Sequence, residues 1–154
     1  MAEALIRPLH KETAKCYNMP MNPVLRRKIE RLKEEILYLE VNRAKFLKEL
    51  GVSVEAKKIA ERSAYLATEI ALDITELVIS MKGLPRPSSY SDSIFKLGEY
   101  KLVPKDFSRR FVYVAGFRNF LAHDYEVDTS ADMKRFLKTG INDMKRFISL
   151  MEKL

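Results

Sequence analysis

Beyond Asn22 and Pro23, the apolar residues Leu25, Ile29, Leu32, Ile36 and Leu39 recur at alternating steps of four and three. At about 100° per residue this spacing places them on one side of an α-helix, whereas a strand, with its period of two, would scatter them over both faces. Asn22 is a good helix cap, and a proline at the first helical position loses only an N–H that has no partner there anyway. The stripe runs on through Phe46 and Leu50 to Gly51, so the first helix is expected over about 23–50. One such stripe can form a coiled-coil seam, but a lone helix of this length fits better as the wall of a bundle.

Ser53, with Glu55 and Ala56 behind it, opens a second helix over about 54–82 that Gly83, Pro85 and Pro87 end. Its stripe reads Ile59, Leu66, Ile70, Leu77 and Met81; Ala60, Ala64, Ala67, Ala71, Leu72, Val78 and Ile79 widen it, which marks a central helix. Arg62, Glu69 and Asp73 fall within about 40° of one another and form one charged seam. It is either the solvated side of the helix, with Glu55, Lys58 and Glu76 as neighbours, or the polar wall of a cleft, and this helix alone does not decide.

Residues 83–93 read as a linker, with a short helix over about 92–101 starting near Ser91 or Ser93. After the break at Val103 and Pro104, Lys105 to His123 reads as one helix carrying Phe107, Phe111, Val114, Ala115, Phe117 and Leu121. Asp128, Thr129 or Ser130 can cap a last helix to about 153, with Phe136, Ile141, Met144, Phe147, Ile148 and Met151 turned inward and a kink at Gly140. The expected fold is all-α, an antiparallel up-and-down bundle of four to five helices over residues 23–154, with residues 1–22 as an N-terminal tail. With 154 residues and 47% apolar content, one core is what the chain can fill, and five glycines argue against a turn-rich β protein.

No apolar run approaches the roughly 18 residues of a membrane span. Glu3, Arg7, Lys11, Glu12 and Lys15 interrupt the first twenty residues, unlike a signal peptide, so the cytoplasm is the expected location. Cys16 is the sole cysteine and no Cys/His cluster has metal-ligand spacing, so neither a metal nor another cofactor is expected. The net charge of +7 favours acidic partners such as nucleic acids, acidic proteins or nucleotides.

Arg118, Asn119, His123, Asp124 and Tyr125 crowd into eight residues at the end of the fourth expected helix. Arg118 and Tyr125 share one side and Asn119 and His123 another, so together they line one broad arc. The set suits phosphate chemistry. Arg offers a planar fork of donors to phosphate oxygens, and His exchanges protons near neutrality. Asn119 can orient a phosphate or hydroxyl, and Tyr125 offers a stacking face or a hydroxyl. Each also has a plain structural reading: His123 as a helix-end cap, Tyr125 as a packing residue, and Arg118 in an ion pair with Asp124 or with the carboxylates of the second helix.

Arg118, four residues, His123, one residue and Tyr125 make an R-x4-H-x-Y signature, and with Asn119 directly after the Arg the chain resembles the HEPN superfamily. Within it, residues 25–150 resemble the HepT-like toxins encoded beside a minimal nucleotidyltransferase antitoxin, MntA. The resemblance implies a homodimer in which two motifs face a common cleft. It implies metal-independent endoribonuclease activity on RNA with Arg118 and His123 as catalytic residues; Asn119 and Asp124 are candidate supporting residues. It also implies silencing by AMP transfer from the antitoxin to Tyr125. Arg62, Glu69 and Asp73 are candidates for the cleft wall. A requirement for two proton-transferring groups agrees with the dimer, because apart from His10 in the tail the chain's one histidine is His123. The alternatives are a non-catalytic helical subunit that binds a nucleotidyltransferase and its substrate, and a bundle with an unrelated binding role.

Overall fold

The computed structural model describes residues 19–123 and 126–154. Its helices are α1 (Pro23–Val41), α2 (Arg43–Glu49), α3 (Val54–Met81), α4 (Tyr90–Glu99), α5 (Lys105–Phe111), α6 (Tyr113–His123), α7 (Ser130–Arg135) and α8 (Ile141–Met151), with a π-helical turn, Phe136–Gly140, joining the last two. Because α1 with α2, α5 with α6, and α7 with α8 are kinked continuations, they form five helical rods in an all-α bundle. Among the described residues no helix is long and apolar enough to cross a membrane.

Cross-helix pairs give the directions. Lys28 bonds Asp73 at 2.8 Å and Ser63 donates to Glu35 at 2.8 Å, so α3 runs against α1. Lys145 reaches Glu40 at 2.6 Å and Lys33 reaches Glu152, so α8 also runs against α1. The central rod is α3, in contact with α1, α2, α4, α6 and α7.

Local chemistry explains most boundaries. The Asn22 side chain accepts from the Val24 and Leu25 N–H groups, Ser53 accepts from Ala56, and Ser89 caps α4 by accepting from Asp92. Thus α4 starts at Tyr90, two residues before the expected place. Gly83, at φ 63°, closes α3 with Leu84 N–H bonded to Ile79 O, a left-handed terminus that suits a residue without Cβ.

Three expectations needed correction. The first helix is interrupted at Asn42, whose side-chain amide donates to Tyr38 O alongside its own backbone N–H, while Phe46 and Leu50 beyond the break stay buried with the stripe. The expected helix over Lys105–His123 breaks at Val112, where Ala115 N–H reaches back only three residues. In α3 the buried side is Ala60, Ala64, Ala67, Ala71, Ile74 and Val78, each at most 1% exposed, while Ile59 and Met81 of the expected stripe are exposed and Leu66, Ile70 and Leu77 half-buried. A central helix packed on several sides needs small residues where neighbouring backbones come close.

The expected kink at Gly140 takes the form of the π turn. A Cβ there would overlap the Phe136 ring, which stacks on Phe117 at 4.9 Å between centroids. Phe111 stacks on Phe107 and Phe147, and Ile141, Met144, Phe147, Ile148 and Met151 are buried as their spacing indicated.

Candidate active site

Arg118 points from α6 onto α3. Its Nε donates to Glu69 Oε2 at 2.5 Å and its Nη2 to Glu69 Oε1 at 3.1 Å, a two-pronged fit of guanidinium to carboxylate. Nη1 donates to the Asn119 side chain at 3.2 Å. The guanidinium carbon lies over the rings of Tyr65 at 5.5 Å and Tyr90 at 5.3 Å, so two aromatic faces hold the cation. Hydrogen bonding to Glu69 raises the Arg118 pKa above its already high ordinary value. Burial, then the Glu69 charge, pushes the Tyr90 hydroxyl up as well, with Arg118 opposing.

The charged seam of α3 divides. Glu69 belongs to the Arg118 cluster, Asp73 turns to Lys28 on α1, and Arg62 is exposed with its guanidinium 5.6 Å from the Tyr65 ring. Asn119 and His123 are exposed, His123 as the last residue of α6. Asp124 and Tyr125 lie outside the described residues, as does His10.

Beyond them, the chain is fastened to the start of α3. Lys57 bonds Asp128 at 3.0 Å and the Thr129 hydroxyl donates to Glu61. The Ser130 hydroxyl, then Lys57, then the Ser130 N–H hold the Asp128 carboxyl well below the usual range. Of the three residues offered as the cap of α7, Thr129 holds the N-cap position without a side-chain cap bond, and Asp128 just before it accepts from Ser130 N–H at 3.0 Å.

Tyr65 and Tyr90 are the residues that sequence reasoning missed. Tyr65 has a signal in the sequence, since it stands four residues before Glu69 on the same side of the helix, but as an uncharged residue it does not stand out in a charged seam. Tyr90 had none, because only the packing of α4 against α3 and α6 brings it over Arg118. A guanidinium oriented by a carboxylate and two rings is suited to phosphate, and the exposed imidazole five residues along the same helix is a proton-exchanging group.

The fold is that of the HEPN helical toxins. A HEPN toxin of Shewanella oneidensis, solved tri-AMPylated in complex with an MNT antitoxin, superposes with a TM-score of 0.79 at 19% identity, covering 87% of this chain and 100% of that one. YutE, a cytosolic protein of unknown function from Bacillus subtilis, superposes with a TM-score of 0.64 at 19% identity, covering 80% of this chain and 87% of that one. In sequence, the tRNA nuclease HepT of Aphanizomenon flos-aquae (strain 2012/KM1/D3) is 27% identical over 74 residues, which is 48% of this chain and 50% of that protein. The matched segment thus spans half the length of this curated relative. The family model described as ribonuclease HepT-like matches residues 25–151, and the chain belongs to that family.

Proposed function

We propose that the chain is the toxin of a toxin–antitoxin pair: a homodimeric, metal-independent endoribonuclease, silenced when an MntA-like nucleotidyltransferase transfers AMP to Tyr125. The observation that carries this reading is the Arg118 guanidinium, fixed by Glu69 between Tyr65 and Tyr90, with His123 exposed at the end of the same helix.

Attack of an RNA 2′-hydroxyl on phosphorus requires a base for its proton and an acid for the leaving 5′-oxygen, at opposite ends of an in-line path. His123 of each subunit serves one role. The 2′-oxygen bonds to phosphorus as its proton passes to one imidazole. The bond to the 5′-oxygen breaks and that oxygen takes a proton from the other, leaving a 2′,3′-cyclic phosphate and a 5′-hydroxyl. Arg118 keeps an Nη1 donor beyond those engaged by Glu69, Asn119 and Tyr65, and this donor stabilises charge growing on the phosphoryl oxygens. In the silencing step the Tyr125 oxygen attacks the α-phosphorus of ATP and pyrophosphate leaves. The attached phosphodiester then competes with RNA for Arg118.

The test is RNA cleavage and growth inhibition by wild type, Arg118→Ala and His123→Ala, with helical content followed by circular dichroism. Both variants lose activity by about 10² or more while staying folded, and activity survives a chelator. A wild type that cuts no RNA but copurifies with the nucleotidyltransferase supports the second reading, a non-catalytic partner subunit. The engagement of all but one of the Arg118 N–H donors by Glu69, Asn119 and Tyr65 is the feature that favours it. Intact mass after incubation with the antitoxin and ATP tests the switch: an AMP-sized gain on wild type that disappears in Tyr125→Phe.

A further inference from the structure

Beside the Arg118 cluster lies a cavity of about 730 Å³ between the end of α3, the strap of residues 83–89 and the start of α4, with Ala115 and Asn119 of α6 behind it. Its size falls in the range of about 300–1,000 Å³ usual for small-ligand sites. Ile79, Leu84, Pro87 and Ala115 contribute apolar wall, and Ser80, Ser91 and Asn119 contribute hydrogen-bonding groups. Arg86 is a cation on the strap, and Glu76 is the acidic group of the lining. Two residues connect this cavity to the cluster: Tyr90, whose ring carries the Arg118 guanidinium, and Asn119, whose carbonyl oxygen accepts from Arg118.

We propose that this cavity is the subsite for one nucleotide of a single-stranded RNA, the one adjoining the phosphate held by Arg118. The inference rests on the nuclease reading for the position of that phosphate, and on the cavity itself for the rest. The chemistry of the wall matches a nucleotide part by part. A base needs an apolar slot with a few hydrogen-bonding groups, here Leu84 and Pro87 with Ser80 and the Asn119 amide. Glu76 accepts from a base amino group or a ribose hydroxyl, and Arg86 meets the next phosphate along the strand. The strap is held in shape by Pro85 and Pro87 and pinned at Ser88, whose N–H donates to Asp92 at 2.8 Å, so little ordering remains for binding to supply. Among the described residues Ser80 and Ser91 make no side-chain hydrogen bond, whereas Ser89 is engaged as the α4 cap.

The experiment uses the full chain and a fluorescein-labelled ten-nucleotide 2′-fluoro RNA, which lacks the attacking hydroxyl, with binding read by anisotropy. Arg86→Glu and Ser80→Phe each weaken binding about tenfold or more, while Lys138→Glu, which makes the same charge change on an exposed residue outside the cavity lining, weakens it less than about threefold. Two results overturn the proposal: no binding by wild type, or equal binding by wild type and both cavity variants. Tight binding of free 5′-AMP that Ser80→Phe abolishes, with RNA binding untouched, also overturns it, because the site would then serve a mononucleotide. Cleavage of the unmodified RNA is followed in parallel. Binding that obeys these predictions without cleavage keeps the subsite and rejects the nuclease, and cleavage that is insensitive to both cavity variants in KM does the reverse.

Discussion

Glu69→Ala separates orientation of Arg118 from its mere presence. The carboxylate takes two of the guanidinium's bonds, and the side chains of Arg118 and Glu69 are 16% and 30% exposed. An exposed ion pair contributes up to about 1 kcal/mol, and breaking a fully buried one costs about 3–5 kcal/mol. A partly exposed, two-pronged pair belongs between these limits, so a double-mutant cycle with Arg118→Ala should give a coupling of about 1–2 kcal/mol. For a chain of this size each kcal/mol moves Tm by about 2–4 °C, so Glu69→Ala alone should lower it by about 3–6 °C. The assay is urea unfolding of wild type, both single variants and the double variant, at 0.1 and 0.5 M salt. Because the pair is largely sheltered, the coupling should persist at the higher salt. A coupling below about 0.5 kcal/mol would refute the claim that Glu69 holds Arg118 in place.

Asp128→Asn tests the fastening behind His123. The native carboxyl titrates below its ordinary range, so its ionised form stabilises the fold fully above the usual carboxylate value of about 3.9, and that contribution is lost as pH falls from there through the lowered native value. The urea midpoint of wild type should therefore fall more steeply between about pH 5 and pH 2 than that of Asp128→Asn, and parallel curves contradict this. Gly140→Ala forces the packed Phe136 ring aside and should cost about 1–2 kcal/mol net of the better helix propensity of alanine, read by denaturant unfolding. Overpacking the tight side of α3 with Ala67→Leu should cost about 1–3 kcal/mol, whereas Ile59→Ala on the exposed stripe should cost less than about 1 kcal/mol. The opposite ranking would mean that the two faces of α3 have been exchanged.

Much of the architecture was written locally. The Leu25 to Leu39 stripe, the caps at Asn22 and Ser53 and the stop at Gly83 depend on residues within a turn or two of each other, and the helices begin and end there or within a few residues. The inward set of the last helix was legible for the same reason: helical periodicity encodes which side of an amphipathic segment avoids water. Position 140 was legible as a defect, though not as a π turn.

What periodicity could not rank was two competing faces on one helix. In α3 the stripe of Ile59, Leu66, Ile70, Leu77 and Met81 outweighs the alanines by hydrophobicity, yet the fully buried side is made by those alanines together with Leu72, Ile74, Val78 and Ile79. Hydrophobicity measures the gain from leaving water; the closeness of neighbouring helices decides which side chains fit, and that belongs to tertiary packing. The site divides the same way. The R-x4-H spacing and the seam with Glu69 stand in the sequence because each lies within one helix. The joining of Arg118 to Glu69 across 49 residues, the loss of Asp73 to Lys28, and the arrival of Tyr90 over the guanidinium depend on how α3, α4 and α6 pack. Single helices carry the residue types, and only their packing fixes which charges and rings meet.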